Sequence, residues 1–132
     1  MTDEADVFLS YSRDEVPFVR AVADALEQRG LVVWFDETRI EPGTNWYESL
    51  SESLGSAKAV IVFVSTKGLQ SSWTNFEIGA AVGRQKRLVP VYLTEAARQE
   101  APPLIADRAG IDAYHLKPEE VAEQIADAVK AA

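Results

Sequence analysis

The chain has 132 residues, the size of one ordinary domain, and 47% of them are hydrophobic; such a chain buries about two-thirds of the surface it exposes when unfolded and needs no disulfide or metal to fold. Thirteen Lys and Arg against 21 Asp and Glu leave a formal charge of -8, which repels nucleic acid and anionic lipid and argues against a generic binder of either. There is no cysteine, and His115 is the sole histidine, which excludes thiol nucleophiles, Cys/His zinc sites and multi-histidine metal centres and leaves a Ser-His-Asp triad resting on one badly placed residue.

Short continuous apolar runs alternate with helical periods along the chain, the pattern of strands buried on both faces with helices between them. Val7-Phe8-Leu9 is the first strand. A helix is expected from about Asp14, with Pro17 tolerable in its first turn, an apolar stripe of Val19, Val22, Ala23 and Leu26, and Gly30 as its stop. Leu31 to Phe35 reads as the second strand. The loop from Asp36 to Thr44 holds Pro42-Gly43, and a helix begins near Asn45 with Glu48 completing a cap and Tyr47, Leu50 and Leu54 facing the core. Ala59 to Val64 is the most apolar run and reads as the sheet centre. Ser71-Ser72 caps a third helix from Trp73 to about Gln85, in which Gly79 and Gly83 suggest close packing. Leu88 to Leu93 is the fourth strand, and its Pro90 hints at an edge or a bulge. From Thr94 to Ile111 no pattern emerges. Ala113-Tyr114-His115-Leu116 reads as a short fifth strand, and Pro118 opens a last helix striped by Val121, Ile125 and Val129.

These elements predict one α/β domain with a mainly parallel five-stranded sheet, with no repeat and no internal boundary. The longest stretch without a charge, Gly68 to Phe76, is nine residues, and the N-terminus reads Met-Thr-Asp-Glu-Ala-Asp. Neither a membrane span nor a signal peptide is present, so a cytoplasmic location is expected.

In such a sheet ligands bind outside the C-terminal strand ends. Three loops converge there: Ser10-Tyr11-Ser12-Arg13 after the first strand, Asp36 to Trp46 after the second, and Ser65 to Trp73 after the third. The glycine patterns of dinucleotide-binding and P-loop enzymes are missing.

Asp6-Val7-Phe8-Leu9-Ser10-Tyr11-Ser12, then Trp34-Phe35-Asp36, then Ile40-Glu41-Pro42-Gly43, then Ser72-Trp73 with Glu77, closely resemble a Toll/interleukin-1 receptor (TIR) domain of bacterial type. The likeness runs in order from about residue 5 to residue 130 and is weakest after Thr94, where no function is transferred. It implies a flavodoxin-like three-layer αβα fold over a single domain, residues 1–132; a chain ending just after its last helix suits either a whole protein or the N-terminal effector part of one with a sensor. The family divides into scaffolds that assemble through the Pro-Gly loop, here Ile40, Pro42 and Gly43, and enzymes that cleave NAD+ between nicotinamide and ribose. Enzymatic members resemble this chain in having a glutamate early in the third helix, often four residues after a tryptophan, as Glu77 follows Trp73.

The resemblance therefore implies Glu77 as the catalytic residue, NAD+ as substrate rather than cofactor, no metal, and self-association with other TIR domains. One carboxylate suffices, because nicotinamide leaves the cationic ring as a neutral molecule and needs no general acid, unlike an ordinary glycoside leaving group. At about 4 Å and an effective dielectric of about 20, its attraction for the charge developing at the anomeric carbon is about 4 kcal/mol, or roughly a thousandfold in rate.

Substrate-binding candidates are Ser10, Tyr11, Ser12, Arg13, Asp36, Trp46 and Trp73, each with a plainer alternative. Arg13 meets the pyrophosphate or pairs on the surface with Asp14 or Glu15. Trp46 stacks on a ring of the substrate or packs in the core, and Trp73 borders the carboxylate or caps the core. Asp36 is the nearest competitor to Glu77, His115 reads as structural, and Arg84, Lys86 and Arg87 read as a solvated helix end. Three rival readings remain: a non-catalytic TIR scaffold, for which Glu77 has no use; a phosphoacceptor receiver domain, which needs an acid where Ser65-Thr66 stand; and a nucleoside deoxyribosyltransferase, which the Pro-Gly loop disfavours.

Overall fold

The computed structural model describes residues 5–11, 15–34, 57–65, 87–101, 105 and 109–130. Among them the chain runs β1 (Ala5–Ser10), α1 (Val16–Gln28), β2 (Val33–Trp34), β3 (Ala57–Val64), β4 (Arg87–Tyr92), α2 (Glu95–Glu100), β5 (Ile111–Asp112) and α3 (Pro118–Lys130). The five strands form one sheet in the order β2-β1-β3-β4-β5, every pair parallel. β3 is the middle strand, where the longest apolar run of the sequence belongs.

Alternation along each strand divides the core into two. Val7 and Leu9, Ile61 and Phe63, and Val89 and Val91 face one side, where α1 supplies Val19, Val22, Ala23 and Leu26 and α3 supplies Val121, Ala122, Ile125 and Ala126. Phe8, Val60, Val62, Val64, Leu88 and Tyr92 face the other, covered by Ala97 of α2 and by Ile105. Helical residues on both faces make three layers, the flavodoxin-like arrangement expected of strands without a polar face. Trp34 stacks on Phe8, ring centroids 4.4 Å apart, closing the second layer beside β2.

Helix α1 obeys its sequence pattern: the four stripe residues are buried, Pro17 lies in the first turn, and Gly30, at φ +86°, follows the C-cap Arg29. A backbone of that sign suits glycine. The fourth strand is not an edge, but its pairing with β5 covers only Val91 and Tyr92, while β3 pairs with it throughout. Pro90 thus precedes the doubly paired segment, and its missing N–H falls where only one neighbour is in register.

Three expectations are corrected. The fifth strand is Ile111–Asp112, not residues 113–116: Ala113 still donates its N–H to the Tyr92 carbonyl, but Tyr114 and His115 form a turn, with Leu116 bonding back to Ala113. The chain must reverse there to start α3 at Pro118, and the apolar character of 113–116 comes from Ala113, Tyr114 and Leu116 packing on the cores. The second strand begins at Val33 rather than at Leu31, with Val33 and Trp34 its described residues: Leu31 still bonds back to Leu26 at the end of α1, and Val32, 53% exposed, meets β1 through its backbone carbonyl, which accepts from the Asp6 and Val7 N–H groups. Arg87 is the first residue of β4 rather than a helix end.

The stretch after Thr94 that lacked a pattern contains α2. Thr94 caps it, its hydroxyl accepting from the Ala97 N–H at 3.1 Å, with Glu95 in the first turn. Only Ala97 of its six residues is buried, too little to leave a periodic signature.

Candidate functional site

The strand order locates the ligand end of the sheet. From β1 the chain moves outward to β2, then returns across β1 to lay down β3, so the direction of winding reverses between β1 and β3. At such a switch point the connections leaving the two strands separate to opposite faces and open a crevice at the carboxyl ends. Ser10 ends β1 opposite Val62, so β3 runs two residues further, to Val64.

The described residues of this crevice come from both strands. Ser10 is fully buried at the end of β1, and Tyr11 is half-buried with its side chain packed against the α1/α3 core. Glu15, the residue preceding α1, is only 9% exposed. It accepts a hydrogen bond of 2.6 Å from the hydroxyl of Ser65, the first residue after β3. A carboxylate so far from water is expensive unless hydrogen-bonded, and Ser65 supplies one such bond across 50 residues of sequence.

Of the residues picked out in the sequence, Ser10 and Tyr11 stand at this crevice. Ser12, Arg13, Asp36, Ile40, Pro42, Gly43, Trp46, Trp73 and Glu77 lie outside the described residues. Glu15 and Ser65 were not chosen as site residues. Glu15 entered only as a surface partner for Arg13, whereas it is buried; the one local signal was the hydroxyl of Ser65 at the ligand end of the most apolar strand.

A second polar group stands at the same end of the sheet but on its far side. Asp112 of β5 takes Arg98 of α2 at 2.5 Å on one carboxylate oxygen and the Tyr114 hydroxyl at 3.3 Å on the other. Tyr92, beside it in register, has its hydroxyl held above the usual phenol value, mainly by burial, against the opposing pull of Arg98. The ion pair is exposed and contributes little to stability; it ties α2 to β5 and is not placed to serve the crevice between β1 and β3. Among the described residues no three His, Asp or Glu side chains gather as a metal site would require, and no helix is long and apolar enough to cross a membrane.

The switch-point crevice, with polar residues at the ends of β1 and β3, is where comparison with known proteins becomes informative. The family model described as "TIR domain" matches residues 7–130. The chain belongs to the TIR domain family. Two similar bacterial proteins are named for their reactions. The 2' cyclic ADP-D-ribose synthase AbTIR of Acinetobacter baumannii is 31% identical over 96% of this chain and 49% of its own length. The NAD(+) hydrolase TcpC of Escherichia coli is 25% identical over 92% of this chain and 42% of its own. This TIR chain thus spans about half the length of these relatives. Among solved structures, the TIR domain of the Toll-related receptor TRR-2 of Hydra magnipapillata superposes with a TM-score of 0.79 over 96% of this chain and 98% of that one, at 14% identity, which speaks for the fold alone.

Proposed function

We propose that this TIR domain cleaves NAD+ between nicotinamide and ribose, releasing nicotinamide and forming ADP-ribose or a cyclic ADP-ribose isomer. The reading is carried by the likeness, over nearly the whole chain, to relatives named for NAD+ hydrolysis and for synthesis of a cyclic ADP-ribose. Trp73 and Glu77 in the chain's own sequence supply the residue types that the reaction needs. NAD+ binds as substrate in the crevice between β1 and β3, and no cofactor or metal takes part.

Glu77 is the catalytic residue of this scheme. It holds the ribose hydroxyls and stabilises the positive charge that grows at the anomeric carbon as the neutral nicotinamide departs. Water, or a nucleophile elsewhere in the same molecule, then captures that carbon. Ser10, Tyr11, Ser12 and Arg13 line the approach after β1, and Asp36, Trp46 and Trp73 complete it. The domain works as a cytoplasmic effector in immune (anti-phage) or stress signalling, switched on by assembly with other TIR domains through the loop of Ile40, Pro42 and Gly43, and governed by a fused or partner sensor.

Nicotinamide release from NAD+ by the purified chain tests this at several protein concentrations. Glu77→Ala and Glu77→Gln proteins, shown to be folded, are expected to lose about a thousandfold in rate. Near-normal turnover in both removes Glu77 from its role. No release by the parent protein at any concentration leaves the non-catalytic scaffold as the function.

A further inference from the structure

We propose that Glu15 and Ser65 form a strap across the crevice between β1 and β3, and that Glu15 is thereby a positioning residue for the substrate; the inference rests on the NAD+-cleaving reading of that crevice. The bond is short, 2.6 Å, and joins the residue before α1 to the residue after β3. These are anchor points of the two connections that border the switch point. The connection after β1 carries Ser12 and Arg13, and the one after β3 leads to Trp73 and Glu77 in sequence. The bond fixes the separation of Glu15 and Ser65, the points where one connection ends and the other begins. In a site of this kind a displacement of about 1 Å costs about a hundredfold in rate.

The choice of residue supports the strap. Ser, Thr, Asp and Asn are preferred before a helix because a short side chain folds back onto the first free N–H groups. Glu15 occupies that position yet makes no such bond to its own helix. A negative charge there favours the helix dipole with either acidic residue, so charge alone does not distinguish Glu from Asp. Reach does: the extra methylene carries the carboxylate to Ser65 across the end of the sheet. The group stays almost wholly buried in doing so.

The experiment compares Glu15→Asp, Glu15→Gln, Ser65→Ala and the Glu15→Asp/Ser65→Ala double variant in the full chain. Stability, kcat and KM for NAD+, and amide exchange at Tyr11, Val16 and Ser65 are measured. Glu15→Asp, a better cap with too short a reach, is expected to match or exceed the parent in stability while losing about tenfold or more in kcat/KM. Glu15→Gln, which keeps both the length and an acceptor oxygen, recovers most of that loss. In kcat/KM Ser65→Ala matches Glu15→Asp, and the double variant is no worse than either, since all three lack the same bond; in stability Ser65→Ala falls below the parent, because it takes that bond from a carboxylate that stays buried. Exchange at Tyr11 and Ser65 quickens equally in the three proteins. Parental kcat/KM in Glu15→Asp, losses that multiply in the double variant, or unchanged exchange would overturn the strap. If the parent releases no nicotinamide, the NAD+ reading fails by itself, and the exchange measurements decide the strap alone.

Discussion

Replacing Gly110 with alanine measures how tightly the fifth strand is pressed against the fourth. A Cβ at this position would stand 2.8 Å from the Pro90 carbonyl oxygen and 2.9 Å from both Pro90 Cγ and Tyr92 Cε2. The first belongs to the backbone of a strand paired with β3, the second to a closed ring, and the third to a side chain only 4% exposed. None can swing aside without moving the sheet. Overpacking of a core costs about 1–3 kcal/mol, and three simultaneous contacts with rigid groups place this substitution near the upper end, about 2–3 kcal/mol. With a urea m-value of about 2 kcal/mol/M, the midpoint should fall by about 1–1.5 M. Gly30 is the control, because its φ of +86° comes with no atom within 4 Å of a would-be Cβ. Its alanine variant loses only conformational energy, about 1–2 kcal/mol, and Gly30→Asn recovers part of that because asparagine tolerates the left-handed region. At Gly110 the larger asparagine is expected to be worse than alanine. Equilibrium urea unfolding of the four variants gives the comparison. A Gly110→Ala protein within about 0.5 kcal/mol of the parent at equal m-value, the range of an ordinary surface change, would refute the close approach.

Three further outcomes are expected. Trp73 precedes Glu77 by four residues in the sequence, the spacing of neighbours on one surface of a helix; if the two are so placed and the indole keeps water from the reacting carbon, Trp73→Ala lowers the ratio of cyclic to linear product seen by chromatography and mass spectrometry, and an unchanged ratio with surviving turnover denies it that role. If assembly through the Ile40, Pro42 and Gly43 loop completes the site, nicotinamide release per molecule climbs with protein concentration; a dilute monomer with full specific activity contradicts this. Burial raises the Tyr92 phenol above its ordinary value of 10.0, so above about pH 10 the unfolded chain loses a proton that the folded chain keeps; the stability this provides is fully present below pH 10 and disappears as pH rises through the raised folded value. Urea titrations from pH 9 to 11 should fall less steeply for Tyr92→Phe, and parallel curves would show that Tyr92 does not contribute.

The residues whose roles were readable from sequence are those governed by near neighbours. The α1 stripe repeats at helical spacing and ends at a glycine, so its helix, buried face and stop are all expressed within some fifteen positions of sequence. The β3 run has no polar face, which requires cover on both sides and hence a central place in the sheet. Family membership was carried by short motifs in a set order, which again are local words. α2 escaped notice because a six-residue helix with one buried side chain has almost no periodicity to read.

What the tertiary structure alone decided depends on groups far apart in the chain meeting in space. Ala113, Tyr114 and Leu116 are apolar because they pack, yet this stretch turns rather than extends, since the geometry of reaching α3 overrides local preference. Pro90 is tolerated inside the sheet because β5 pairs only beyond it, and Gly110 is required because β5 comes so near; neither fact has a sequence signature. The joining of Glu15 to Ser65 is the clearest case. In sequence one is an acid before a helix and the other a serine after a strand. They become a hydrogen-bonded pair only because the parallel winding returns β3 to the side of β1, bringing the two strand ends together at the switch point of the sheet.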